Sequence, residues 1–276
     1  MRVSVNPIRD VQLTRIGSDR NPVIVVDDVL ANAEEVRAHA LGSRYRRGGL
    51  TAYYPGYVSP SGIAGMSELI EWAAAYVWNE VYALPRLPYV SFDRIQGLTT
   101  FAVFAPDMAS RYANVHTDGQ NWLSMLIYLG GGGGTAFWRD RATGLESYLP
   151  PSGGSLAEIE RIEEFFDVDM TRRLARGLSL DAPEALARMR ATLARRQIAP
   201  PFPCASTDEW ELLHHVPAKF NRMMICPTWQ FHSVAYPDYV PPASLASARL
   251  TLNTFVEYPF VTNATLRVAD VPGIIE

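Results

Sequence analysis

From Tyr89 onward the chain stops repeating every three to four residues and begins to alternate every two. Successive side chains of a strand point to opposite faces, whereas a helix returns to one face after 3.6 residues, so this change of period limits what the chain can build. Short alternating runs at 90–92, 97–104, 111–116, 123–129 and 135–139 are separated by Pro106, Gly119 and five consecutive glycines, Gly130 to Gly134. Many short strands punctuated by turn residues predict a sandwich, a barrel or a jelly roll. Strands resume at 211–216 and 222–226, predicted as a hairpin around Pro217-Ala218-Lys219-Phe220-Asn221, and close with 249–257.

That last strand carries Leu250, Leu252, Thr254 and Val256 on one face and Arg249, Thr251, Asn253, Phe255 and Glu257 on the other. The first face suits packing against helices. The second either lines an internal cavity or is the wet face of an ordinary antiparallel sheet.

The N-terminal part has a different period. Val23 to Val26 is a β-branched strand. Asn32 with Glu35 has the form of a capping box, opening a helix that stops at Gly42. Residues 44–60, with their tyrosines, glycines and prolines, read as irregular, either a substrate-facing loop or a plain ordered aromatic loop. In the helix predicted at 67–82, Leu69, Ala73, Tyr76, Val77 and Val81 share one face, and Pro85 ends it. Between 145 and 204 the strand pattern is interrupted by two helical stretches, one opened by Ser155 with Glu158 and one spanning 185–197. Their apolar content is too small for an independent core, so they read as a helical insertion. The expectation is one mainly β domain (α+β overall) over 1–276, braced by 1–88 and interrupted at 145–204.

Composition excludes several functions. A net charge of −4 leaves no basic footprint for nucleic acid, and Arg44-Tyr45-Arg46-Arg47 reads as a solvated loop. No apolar run reaches the roughly 18 residues of a membrane span, and the first residues lack the apolar core of a signal peptide. Cys204 and Cys226 suggest no disulfide framework, which fits a reducing, cytoplasmic setting.

Candidate chemistry centres on His116-Thr117-Asp118. Residues two apart on an extended chain face one point, so an imidazole and a carboxylate can share a metal. His232, in Trp229-Gln230-Phe231-His232-Ser233-Val234, supplies a third ligand. Two histidines and one carboxylate form the facial triad that leaves positions open on non-heme Fe(II). The glycine run lacks the Lys and helix of a phosphate loop.

His-x-Asp, the strand ending Ile127-Tyr128-Leu129, Gly133-Gly134-Thr135-Ala136-Phe137, the distal His232 and Arg249-Leu250-Thr251 occur in that order. This order resembles the Fe(II)/2-oxoglutarate-dependent dioxygenases, especially their prolyl-hydroxylase-like branch, and within it an uncharacterised bacterial family. The resemblance covers 99–258 apart from the insertion. It implies a double-stranded β-helix (jelly-roll, cupin-like) core, with His116, Asp118 and His232 ligating Fe(II). It implies that Arg249 grips the distal carboxylate of 2-oxoglutarate, with hydroxyls from Thr251 and Tyr128, and more weakly Tyr112, assisting. Arg249 follows His232 by 17 residues (249 − 232), a longer spacing than in the tightest members, which leaves Arg222 as the other candidate anchor. Asp118 stands where halogenases of the group carry a small residue, so hydroxylation by O2 of an amino acid, a peptide side chain or a small natural-product intermediate is implied. A cupin-like metalloenzyme that does not use 2-oxoglutarate and a non-catalytic small-molecule-binding barrel remain alternatives. Trp122, Trp138, Trp229 and the insertion form either an aromatic-rimmed entrance or plain packing.

Overall fold

The computed structural model describes residues 1–8, 10–47, 56–81, 96–104, 115, 116, 118, 123–142, 144, 146, 204–236 and 244–257. In chain order the elements are β1 (Val11–Ile16), β2 (Asn21–Val26), α1 (Ala33–Leu41), β3 (Arg46–Arg47), β4 (Gly56–Pro60), α2 (Met66–Tyr76), β5 (Gln96–Phe104), β6 (Leu123–Gly130), β7 (Gly134–Asp140), β8 (Trp210–Pro217), β9 (Met223–Pro227), β10 (His232–Ala235) and β11 (Leu250–Glu257). The protein is mostly β, with two antiparallel sheets. The larger has the order β1-β2-β9-β6-β11-β5-β4-β3, the smaller β10-β7-β8. Neither sheet closes on itself among the described residues.

Both faces of the large sheet are used. Its outer face meets α1 and α2. Ile24, Val26, Met125, Ile127, Leu250, Leu252 and Val256 pack there against Val36, Leu69, Ile70, Ala73 and Val77, all nearly or fully buried. Burying one such aliphatic side chain contributes roughly 1.5–3 kcal/mol, so this layer is the main source of stability. Its inner face meets the small sheet through a second cluster that joins Val23, Val25, Tyr128, Met224 and Cys226 to Phe137 and Val216. Alternation along β11 sends Leu250, Leu252 and Val256 into the first of these clusters, as the sequence pattern suggests.

The structure corrects several expectations. Strands 211–216 and 222–226 are not a hairpin. β8 pairs with β7 in the small sheet, whereas β9 pairs with β2 and β6 in the large one. The turn between them is a corner. Asn221 adopts a positive φ of 62° there, and its side chain bonds both the N–H and the carbonyl of Leu30. β6 and β7, consecutive in the chain, likewise lie in different sheets, and the glycine run carries the chain across. A side chain at Gly131 (φ 75°) would meet the Cα of Arg249 at 2.4 Å, and one at Gly133 (φ 82°) the carbonyl of Ala235 at 2.5 Å. Only glycine combines that conformation with so close an approach.

Asn32 does precede α1, but it makes no side-chain cap. Its Oδ1 instead accepts from Ser4 N, and its Nδ2 donates to Arg2 O and, at 3.3 Å, to Glu35. Residues 44–60 are not wholly irregular, because β3 and β4 form one edge of the large sheet. β1, half polar and half exposed, escapes the apolar pattern and is recruited by its hairpin with β2. The second helix is α-helical to Tyr76 and continues as a π-turn over Val77–Val81. The strand expected at 90–92, Tyr112, Trp122 and, apart from Glu146 and Cys204, the helical insertion at 145–204 lie outside the described residues. Among the described residues no helix is long and apolar enough to cross a membrane.

Candidate metal centre

His116 and His232, far apart in sequence, are locked together by main chain. Each donates its N–H to the other's carbonyl at 2.9 Å, the reciprocal exchange of an antiparallel pair. Asp118 N donates to Thr228 O at 2.9 Å, continuing the pairing. His116 therefore lies beside the first residue of β10 and Asp118 beside the turn that leads into it, while β7 pairs with the other edge of β10. Two-residue spacing turns both side chains toward His232, as the sequence pattern requires.

One ligand atom from each of His116, Asp118 and His232 falls within 4.8 Å of the others. His116 Nε2 stands 3.7 Å from Asp118 Oδ1, and His232 Nε2 stands 3.2 Å from Asp118 Oδ2. His232 Nδ1 lies 2.8 Å from Gln230 O. Only an N–H can make that contact with a carbonyl, so Nδ1 carries the proton and Nε2 is left toward the carboxylate. Fixing one ring nitrogen to orient the other is how proteins aim a metal-binding imidazole. Two nitrogen donors and one carboxylate in this arrangement fit a divalent transition metal, and Fe(II) is among the ions that such a set holds.

Electrostatics agree with a site that collects positive charge. Burial pushes the Asp118 carboxyl up, but His232 first and His116 next outweigh it, and the group lies below its ordinary range. The Ser124 hydroxyl adds a hydrogen bond in the same direction. Burial pushes the His232 imidazole down, and Asp118 reverses this and leaves it raised.

Glu146 braces the neighbourhood. Its carbonyl accepts from Phe231 N, next to His232, at 2.9 Å. Its buried carboxylate accepts from Ser18 N and Oγ, from Asp19 N and from Arg139, whose Nε lies at 2.8 Å. The β1–β2 turn, β7 and the approach to β10 are thus tied to one residue. Burial raises its carboxyl, and these donors outweigh that and leave it lowered.

A cavity of about 250 Å³ opens beside the three ligands, between the two sheets. Ser124 and Leu126 of β6, Thr135 of β7, Met224 of β9, Asn253 and Phe255 of β11, and Arg249 just before β11 line it. The polar face of β11 therefore lines a cavity rather than meeting solvent. Arg249 is 3% exposed, and its guanidinium lies over the Tyr128 ring, 5.5 Å from the centroid. No carboxylate among the described residues pairs with it, and its buried Nε has no hydrogen-bond partner.

The other anchor candidate is committed elsewhere. Arg222 grips Asp27 with Nε at 2.6 Å and Nη2 at 3.0 Å, and it does not line the cavity. Tyr128 and Thr251, expected to assist Arg249, are not on the cavity wall either. The Tyr128 hydroxyl bonds Thr135 Oγ1 at 2.8 Å, and Thr251 Oγ1 bonds Ala102 O at 3.4 Å. Trp138 is fully buried with its Nε1 on Ser233 Oγ, so it rims no entrance. Thr135 and Ser124 were missed as wall residues, and Asn253 was read only as part of a face that either lines a cavity or meets solvent. The alternation of β6 and β11 is the signal that finds Ser124 and Asn253 once the inward face is known.

The chain matches the model of DUF6445, a family of unknown function, over residues 7–155 and 165–256. It belongs to the DUF6445 family. The break in the match falls inside the segment read as an insertion. No curated protein matches this DUF6445 chain.

Proposed function

We propose that this DUF6445 protein is a non-heme Fe(II)- and 2-oxoglutarate-dependent oxygenase that hydroxylates a small molecule or a peptide side chain. One observation carries the reading. Two histidines and a carboxylate from distant parts of the chain converge within 4.8 Å beside a cavity whose buried Arg249 lacks a counter-ion among the described residues. The jelly-roll assignment belongs to the same reading. It is supported by two sheets facing each other and by chain crossings between β6 and β7 and between β8 and β9.

When bound at the triad, Fe(II) with 2-oxoglutarate and O2 supplies replacement of a substrate C–H by C–OH, with release of succinate and CO2. The chain's own residues bind and orient. His232 is held to one tautomer by Gln230 O, and Asp118 is kept ionised by its two histidine neighbours. Arg249 offers a guanidinium fork that matches a carboxylate and stays charged when buried. Tyr128, itself fixed by Thr135, supports that guanidinium from below. Val58, Leu126, Met224, Val234 and Phe255 keep the rest of the wall apolar and so favour a dry cavity.

Anaerobic titration with Fe(II) and 2-oxoglutarate tests this. The expected result is one metal per chain and succinate release against an amino-acid and peptide panel. Metal content unchanged by Ala at both His116 and His232 would sink it. A second reading, a cupin-like metalloenzyme that does not use 2-oxoglutarate, is favoured by the placement of Tyr128 and Thr251 off the cavity wall. Under it, turnover survives Arg249→Ala.

A further inference from the structure

Two buried polar atoms on the cavity wall lack a partner among the described residues, and they are of opposite kinds. Arg249 Nε is a donor and suits an anion. Asn253 Oδ1 is an acceptor and suits an N–H or O–H. Other polar groups of the wall are already engaged: Thr135 with Tyr128, Ser233 with Trp138 and Ser124 with Asp118.

Register fixes where Asn253 stands. Phe255 pairs with Ser124, which bonds Asp118 at the metal end. Thr251 pairs with Tyr128, whose ring carries Arg249 at the other end. Asn253 lies between them, opposite Leu126 on one side and Thr100 on the other. Each step along this face is two residues, roughly 6.8 Å. A ligand reaching from Arg249 to the metal therefore passes Asn253 at its middle.

We propose that Asn253 is a specificity-determining residue that accepts a hydrogen bond from the middle of a ligand anchored by its carboxylate on Arg249. The cavity then favours acidic ligands with an N–H or O–H between that carboxylate and the metal-binding end. In 2-oxoglutarate this stretch is methylene and all polar atoms are acceptors, so it satisfies Arg249 and leaves Asn253 unmet. The chemical class that fills both is a 2-oxo dicarboxylate or oxalyl amide with a mid-chain donor. This inference rests on the oxygenase reading of the same site.

The test compares 2-oxoglutarate with N-oxalylglycine, which has N–H where the former has its C3 methylene. Calorimetry is run on full-length protein loaded with Zn(II) to prevent turnover. The wild type is expected to bind N-oxalylglycine about three- to tenfold more tightly, the size of one neutral hydrogen bond. In Asn253→Leu that ratio is expected to fall to about one, with the 2-oxoglutarate affinity changed by less than about twofold. Asn253→Ala gives the same reading if the leucine variant does not fold. An equal ratio in wild type and variant overturns the role of Asn253 and leaves the oxygenase reading standing. Binding of neither ligand to zinc-loaded wild type overturns both.

Discussion

On one face of β11, Leu250, Leu252 and Val256 enter the core beneath the two helices; on the other, Asn253 and Phe255, with Arg249 just before the strand, line the cavity. The two faces are built differently. The helix side holds apolar contacts and one closed polar pair, Thr254 with Thr99. The cavity side holds a buried cation and a buried amide oxygen without partners among the described residues. An unmet buried polar group costs about 1–3 kcal/mol, and more when charged. The face toward the cavity therefore gives up stability that the helix face keeps, which suits the ligand-receiving wall of the proposed function.

The largest expected effect is on the cavity side. Ala at His116 or His232 should weaken divalent-metal binding by at least about 100-fold, well beyond what outer-shell changes do; Co(II) titration measures it. The helix side gives the contrasting result. Leu252→Ala should cost about 2–5 kcal/mol in chemical denaturation, as expected for a fully buried leucine. Metal affinity per folded molecule should then be unchanged, and a loss in parallel with stability would break the separation of the two faces.

Arg249→Ala sharpens the contrast. Binding of 2-oxoglutarate should weaken about 10- to 100-fold, while Arg222→Ala should leave it unchanged. Removing a buried cation that has no acid partner among the described residues should leave the thermal midpoint of Arg249→Ala level or higher. Asp27 gives the smallest effect. The side-chain hydrogen bond from Arg222 outweighs the opposing effect of burial and holds its carboxyl at about 2. A lowered acid contributes stability above its unfolded value near 4 and loses it as pH falls through about 2. Wild type should lose slightly more stability than Asp27→Asn across that window. The expected difference is on the order of 0.5 kcal/mol because the pair is partly exposed.

The His116–Asp118 pair and most strands were legible because each depends on spacing within one short segment; that the distant His232 joins the pair had no such local signal. His116 and Asp118 are two apart, and alternation marks both faces of β11. What could not be read was which strands are neighbours. Alternation at 211–216 and 222–226 is the same for a hairpin as for two strands in different sheets, and only the corner at Asn221 decides. The same limit hid the commitments of polar side chains. Nothing local shows that Asp27 occupies Arg222, that Thr135 engages Tyr128, or that Asn32 ties the N-terminal segment instead of its helix. β1 escaped because half of its residues are polar and half are exposed, and its pairing comes from β2.

The close approach of Gly131 to the Cα of Arg249 makes the bend between the sheets a seat for the guanidinium's backbone. Lengthening that bend, or placing any side chain on it, moves the charged group before it disturbs either hydrophobic layer. Alterations there should register as altered ligand preference in a molecule of otherwise ordinary durability, so this linker, though it has no chemistry of its own, sets the gauge of the pocket.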